Sequence, residues 1–157
     1  MVVSPKIIIG LVILASITGS IFIAPVILND LLYPSDSHVI IDKDLYNDAY
    51  RDPVTINDAK IIQNKLIFNI SYGGGCQNHE FLLIGTGDYA ESYPVQTQIL
   101  LSHNSNNDTC LAFFTRLITF DLTPLKQHYQ NVYNEGSATI VLHIDGGNGG
   151  ISLNYTF

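Results

Sequence analysis

"KLIFNISYGGGCQNHEFLLIG", residues 65 to 85, opens on a strict alternation: Leu66, Phe68, Ile70 and Tyr72 share one face of an extended chain, and Ile67, Asn69 and Ser71 the other. A period of two with one apolar face is the pattern of a half-buried β-strand. Three glycines then break it, and a second apolar run, "HEFLLIG", follows. The same period recurs downstream. Val95, Thr97, Ile99 and Leu101 share a face in "PVQTQILLSH", as do Ala138, Ile140, Leu142 and Ile144 in "ATIVLHI". "VTI" and "AKII" before the Gln63-Asn64 turn, "CLAFFTRLITF" and the terminal "GISLNYTF" complete a set of about seven strands.

The one helical candidate is "TPLKQHYQNVY", residues 123 to 133, with Thr123 placed to cap, Pro124 at the first helical position, and Leu125, Tyr129 and Val132 forming a stripe. One short helix among strands separated by Gly, Asn, Asp and Pro loops predicts an all-β fold, an immunoglobulin-like antiparallel β-sandwich. No internal repeat interrupts it.

Upstream the composition changes. "IIIGLVILASITGSIFIAPVIL", residues 7 to 28, carries no charge, and at ~1.5 Å per helical residue it reaches roughly 33 Å, enough for a ~30 Å hydrocarbon core. It predicts an N-terminal transmembrane helix; a cleaved signal peptide is the alternative, though its apolar region is usually shorter and Pro25 follows the small residue Ala24. Lys6 precedes the span and Asp30 and Asp36 follow it, so the positive-inside bias places the downstream chain outside. The expected organisation is a membrane anchor or signal peptide over 1–29, an acidic juxtamembrane spacer over 30–53 and an extracellular sandwich over 54–157. Three N-x-[ST] sequons, at Asn69, Asn107 and Asn154, are glycosylation candidates in that setting.

Charge excludes some partners. Seven Lys and Arg face fourteen Asp and Glu, a net charge of −7. Without a basic run there is no phosphate-binding surface, so nucleic acid is not an expected partner. The aspartates between Asp36 and Asp58 do not make a calcium loop: counted from Asp42, Tyr46 stands where a ligand belongs, Asn47 where glycine belongs and Pro53 where glutamate belongs. Neither Gly73–Gly75 nor "DGGNGG" at residues 145 to 150 has the lysine or helix of a phosphate loop. No Ser/His/Asp signature and no close carboxylate pair marks a catalytic residue.

Strand parity gathers the remaining chemistry. If consecutive strands alternate in direction, the loop holding Cys76 and His79, and the loop holding His103, Asp108 and Cys110, lie at one end of the sandwich, with the hairpin at 145–150 beside them. His38, His128 and His143 lie elsewhere. In an oxidising compartment two cysteines pair, and a Cys76–Cys110 disulfide closing a loop of about 35 residues is worth roughly 3.5–4 kcal/mol. A second reading is a zinc site in which Cys76-x2-His79 and His103-x6-Cys110 supply ligand pairs. A cysteine nucleophile beside a histidine is a third. With the disulfide formed, His79, His103 and Asp108 remain a set suited to zinc or copper, or simply a structural pair within their loops.

The runs "KLIFNISYGGGCQNHEFLLI" and "LLSHNSNNDTCLAFFTRLITFDLTPL" resemble a pattern of small exported β-sandwich proteins, NigD-like lipoprotein domains among them. In these a strand ends in Gly-Gly-Cys-x-x-His-x-Phe, and a later His-x(n)-Asp-x-Cys precedes Phe-Asp-Leu-x-Pro-Leu. Gly74, Gly75, Cys76, His79, Phe81, His103, Asp108, Cys110, Phe120, Asp121, Leu122, Pro124 and Leu125 carry the resemblance, which spans residues 54 to 157. The expected membrane helix would stand in place of the lipoprotein cysteine. The resemblance implies export and a sandwich, and supplies no activity.

The functional expectation is a membrane-anchored extracellular module, held to the membrane through residues 7–28, that binds an extracellular protein or envelope component or serves the envelope structurally, without a cofactor. The alternative from another class is a zinc- or copper-binding protein or small metallohydrolase built on the Cys/His cluster.

Overall fold

The structure, a computed structural model, describes residues 37–147 and 149–157. In chain order these form β1 (Ser37–His38), β2 (Ile40–Ile41), α1 (Lys43–Asp48), β3 (Thr55–Ile62), β4 (Lys65–Gly74), β5 (Glu80–Ala90), β6 (Val95–Asn104), β7 (Ala112–Asp121), α2 (Thr123–Tyr133), β8 (Thr139–Asp145) and β9 (Ile151–Thr156). They make two sheets, ordered β1-β7-β4-β3 and β2-β5-β6-β8-β9. Leu66, Phe68 and Ile70 of β4 and Ile118 and Phe120 of β7 meet Leu83, Ile99, Leu101, Ile140, Leu142 and Ile144 of the second sheet in one buried cluster. Each such side chain gains on the order of 1.5–3 kcal/mol from burial. This is a β-sandwich, and the faces that the alternation in β4 and β8 assigns to the core are the faces that fill it.

The pairing is mixed, not wholly antiparallel as expected. β6 runs parallel to β8, β1 to β7 and β2 to β5. Direction still alternates between consecutive long strands. Parallel neighbours arise because β7 leaves for the other sheet, so β8 returns beside β6, a strand of the same direction. This order also departs from the immunoglobulin arrangement, in which both sheets are antiparallel throughout.

Residues 37–53, assigned by the sequence reading to the spacer, belong to the fold. Val39 is buried, and its N–H donates to Asp121 O at 3.0 Å; Ile40 and Ile41 pair with Ile84 and Gly85. The aspartates here have internal work: Asp42 accepts the Leu45 N–H at 2.9 Å and caps α1. Residues 7–28, and with them the membrane anchor or signal peptide, lie outside the described residues. Among the described residues no helix is long and apolar enough to cross a membrane.

Two details shift burial from the simple alternation. Ile84 and Leu100 are buried yet stand outside the central cluster, so β5 and β6 are covered on both faces at this level. By contrast, the first half of β7 is exposed, with Phe113, Phe114 and Leu117, and Leu111 just before the strand, accessible and β1 reaching only Phe120 and Asp121. The α2 helix has the expected bounds, with Leu125 and Tyr129 buried, but Val132 is 56% exposed and leaves the stripe. Thr123 does not cap it: the N-cap position is Leu122, without a side-chain capping bond, and the Asp121 carboxylate just before it accepts the Thr123 N–H at 2.8 Å and hydroxyl at 2.6 Å.

Candidate functional site

β4 ends at Gly74, and the loop to β5 carries Cys76 and the start of His79's approach; β6 ends at Asn104, and the loop to β7 carries Asp108 and Cys110. The two loops meet. Cys76 and Cys110 lie at disulfide bonding distance, with Cα atoms 5.9 Å apart, and no other cysteine exists in the chain. Bonded to each other, the sulfurs do not offer the thiolates that a zinc ligand or a nucleophile requires.

Beneath the cysteines the Asp108 side chain is fully buried. Its Oδ2 accepts the backbone N–H groups of Gly75, Cys76 and Gln77 at 2.7, 2.8 and 2.8 Å, and Oδ1 accepts that of Cys110 at 2.9 Å. Three successive N–H groups aimed at one oxygen form an anion-binding nest. The glycines make it possible. Gly74 and Gly75 have φ of +137° and +122°, and a Cβ on Gly74 would lie 2.4 Å from His79 Nε2. The glycine-rich loop does hold an anion, and the anion is the chain's own carboxylate. The Cys110 N–H, with the three loop donors, holds the Asp108 carboxyl well below the usual carboxylate range.

His79 and His103 extend the network inward. His103, 1% exposed, donates from Nδ1 to Pro53 O at 3.0 Å, with Asp52 O at 3.3 Å. Its Nε2 lies 2.8 Å from His79 Nδ1, and His79 Nε2 lies 3.2 Å from Asp108 Oδ2. The proton count follows from the partners. A carbonyl accepts, so His103 Nδ1 carries hydrogen and, in the neutral ring, Nε2 accepts; His79 Nδ1 then donates, and Nε2 meets a carboxylate that also only accepts. The bond from His103 Nδ1 to Pro53 O and the bond between the two rings use one ring N–H each. Burial pushes the His103 imidazole below its ordinary range and keeps that ring neutral.

Aromatic rings enclose the pair. Phe81 stacks on His103 at 4.5 Å and 2°, and Tyr72 lies 4.8 Å from His79 and 5.5 Å from His103. Behind them Asp52 accepts the N–H and hydroxyl of Ser105 at 2.7 and 2.5 Å, and these bonds, the hydroxyl's first, hold its carboxyl below the usual range. The Asp52 N–H donates to His103 O, so the chain before β3 lies along the end of β6.

The structure therefore brings Cys76, His79, His103, Asp108 and Cys110 to one end, as parity predicts, but in a line and not around a point. His79 turns its two nitrogens in opposite directions, one to His103 and one to Asp108, so the three do not face a shared ion position. Among the described residues the one set of potential ligand atoms close together is Cys76, Asp108 and Cys110, and two of these are the paired sulfurs. His38, His128 and His143 lie away from the cluster; His128 meets Tyr89, and His143 meets Ser152 and Gln96. Of the sequons, Asn107 and Asn154 are exposed and Asn69 is half-buried within β4. Sequence reasoning missed the ring wall of Tyr72 and Phe81 and the nest. Its signal was present in the Asp two residues before Cys110, opposite the glycines.

No family model and no curated protein matches the chain. Solved structures do. A NigD-like immunity protein from Bacteroides caccae aligns with a TM-score of 0.56 at 15% identity, covering 79% of this chain and 64% of that one. A protein from Parabacteroides distasonis named for a relation to toxins aligns at 0.54 and 20% identity, covering 77% and 59%. A Bacteroides vulgatus protein of unknown function aligns at 0.51 and 14% identity, covering 80% and 56%. The chain spans about three fifths of the length of these structures, and at such identities the likeness is one of fold: a β-sandwich of the kind found in NigD-like and uncharacterised proteins.

Proposed function

We propose that the chain is an exported, envelope-associated β-sandwich that binds a partner and does not transform a substrate, held to the membrane through residues 7–28 with the cysteine end outside. The observation that carries this reading is the Cys76–Cys110 pair at bonding distance, since paired cysteines persist in oxidising compartments. The hydrogen bonding of the cluster agrees with it. Asp108, His79 and His103 spend their donors and acceptors on one another and on the backbone, which suits a support for the loops better than a reacting group. The likeness in fold to a NigD-like immunity protein lends the same support to a binding role.

The test joins two measurements on the full chain in cells. Protease added to intact cells or spheroplasts should digest residues 37–157, and alkylation without reductant should label no cysteine. A mature chain beginning between Ala15 and Pro25 replaces the anchor with a signal peptide. Protection of the domain together with two alkylated cysteines overturns the reading, and about one tightly held zinc per chain in that protein turns it toward the metal-binding alternative.

A further inference from the structure

At the end of the sandwich opposite the cysteines, the β5–β6 turn, the end of α2 and the start of β8 surround a surface cavity of about 640 Å³. That volume is typical of a small-molecule site. Tyr93, Tyr129, Tyr133, Glu135, Ser137 and Thr139 line it, and no Lys, Arg or His does. We infer that this cavity binds an organic ammonium group.

The rings are set in advance. Tyr129 and Tyr133, one helical turn apart on α2, stack at 4.5 Å and 28°. Tyr89 stands edge-on to Tyr129 at 5.5 Å and 90°, and Phe157 at 5.7 Å and 75°, so Tyr129 cannot swing away without disrupting its neighbours. Tyr93 is fully exposed, yet its turn is tied: the Ser92 hydroxyl donates to Pro94 O at 2.7 Å, and Gln96 Nε2 donates to the Ser92 hydroxyl at 2.8 Å. Gln96 is held in turn by His143, 2.6 Å away.

The sign of the site follows from its composition. Tyrosine faces carry negative quadrupole potential, and a cation placed over one is attracted. Glu135 adds a carboxylate that, among the described residues, pairs with no basic side chain; its contact is the Tyr129 hydroxyl, which donates to Oε2 at 3.4 Å. An anion meets the Glu135 carboxylate and no basic side chain. A cation meets the accessible rings of Tyr93 and Tyr133, the latter backed by the buried Tyr129, and a counter-charge, with the Ser137 and Thr139 hydroxyls as acceptors for an N–H. The same chemistry fits a free amine and a lysine side chain of a partner peptide, and the probes separate them.

The experiment is a nuclear magnetic resonance titration of the full chain with choline, with N-acetyl-lysine amide, with a lysine-containing peptide, and with 3,3-dimethylbutanol, the neutral isostere of choline. Choline and the lysine probe should shift signals of Tyr93, Tyr129, Tyr133 and Thr139, with the isostere about ten-fold weaker. Glu135→Gln, on an exposed loop, should weaken choline by about ten-fold and leave the isostere unchanged. Tyr133→Leu should weaken it similarly, and Tyr93→Ala, at a fully exposed position, provides the same test if Tyr133→Leu unfolds. A peptide that binds tighter than the single amine assigns the site to a partner's side chain, and equal affinities assign it to a free amine; both sustain the inference. It is overturned if the isostere binds as well as choline, if neither cation shifts these signals, or if choline affinity survives Glu135→Gln and Tyr93→Ala.

Discussion

Gly74 sits against His79 with no room between them: a Cβ at residue 74 would fall 2.4 Å from Nε2 and 2.9 Å from Asp108 Oδ2, at a backbone φ of +137°. Gly74→Ala therefore combines backbone strain with overpacking, for a cost of roughly 2–4 kcal/mol. Gly149 has a comparable φ of +129° and nothing within 4 Å of its would-be Cβ, so Gly149→Ala isolates the strain. Urea midpoints of the two variants should differ, with Gly74→Ala the lower. Equal midpoints would show that the loop gives way at no cost.

Removing the cross-link lowers stability by roughly 3.5–4 kcal/mol in the chain-entropy view, because it frees a loop whose ends are 34 residues apart. Cys76→Ser and Cys110→Ser should each cost this amount, and the double variant no more. A double variant worse than both singles would mean that each sulfur has a separate role.

Asp108 and the cysteine pair bind the same two loops, so their contributions are coupled. In a double-mutant cycle, Asp108→Asn should lower the urea midpoint further in the Cys76→Ser background than in the oxidised parent. Additive shifts would indicate that the carboxylate and the bond act on different parts of the structure.

The contacts of the two rings are directly observable. His103 Nδ1 bonds to Pro53 O, and His79 Nδ1 and His103 Nε2 bond to each other, inside a wall of aromatic rings. In nitrogen-15 spectra both ring N–H signals should be protected from exchange, and Asp108→Asn should move the His79 Nε2 signal while the His103 Nδ1 signal stays. A bridge proton that exchanges at the solvent rate would show that the two rings are not bonded to each other.

Stability should fall with acid in two stages. Burial lowers the His103 affinity for a proton in the fold, so the unfolded chain protonates first; this contribution is complete above about pH 6.5 and is lost as pH falls toward the folded value. Asp108, held low chiefly by the Cys110 N–H, and Asp52, held low chiefly by the Ser105 hydroxyl, contribute above about pH 3.9 and lose it as pH falls through their folded values. Urea midpoints measured between about pH 8 and pH 3 test this; a midpoint that rises between pH 7 and pH 5 has the wrong sign.

The fold was legible where period and length agree. In β4 and β8 the alternating residues are the core residues, and α2 has the bounds that Pro124 and the polar run after Tyr133 suggest. It was illegible where elements are too short to show a period. Two-residue strands such as Ser37–His38 owe their existence to the long strands they lie beside. Ile84 and Leu100 look like ordinary outward residues until a second covered face is known. At the site, parity located the residues but not the direction of the imidazole nitrogens, which depends on where Pro53 O and Asp108 come to rest.

Since Asp108 holds the N–H of both Cys76 and Cys110, the two halves of the bridge keep their address when the bridge itself is cut. A reductant converts the pair to thiols without dispersing them. The nearest sulfur to each remains the other, at an effective concentration that a thiol in solution or on a second molecule does not match. For a chain with two cysteines, mispairing is possible only between molecules, and the carboxylate beneath the bridge biases every reoxidation toward the intramolecular product.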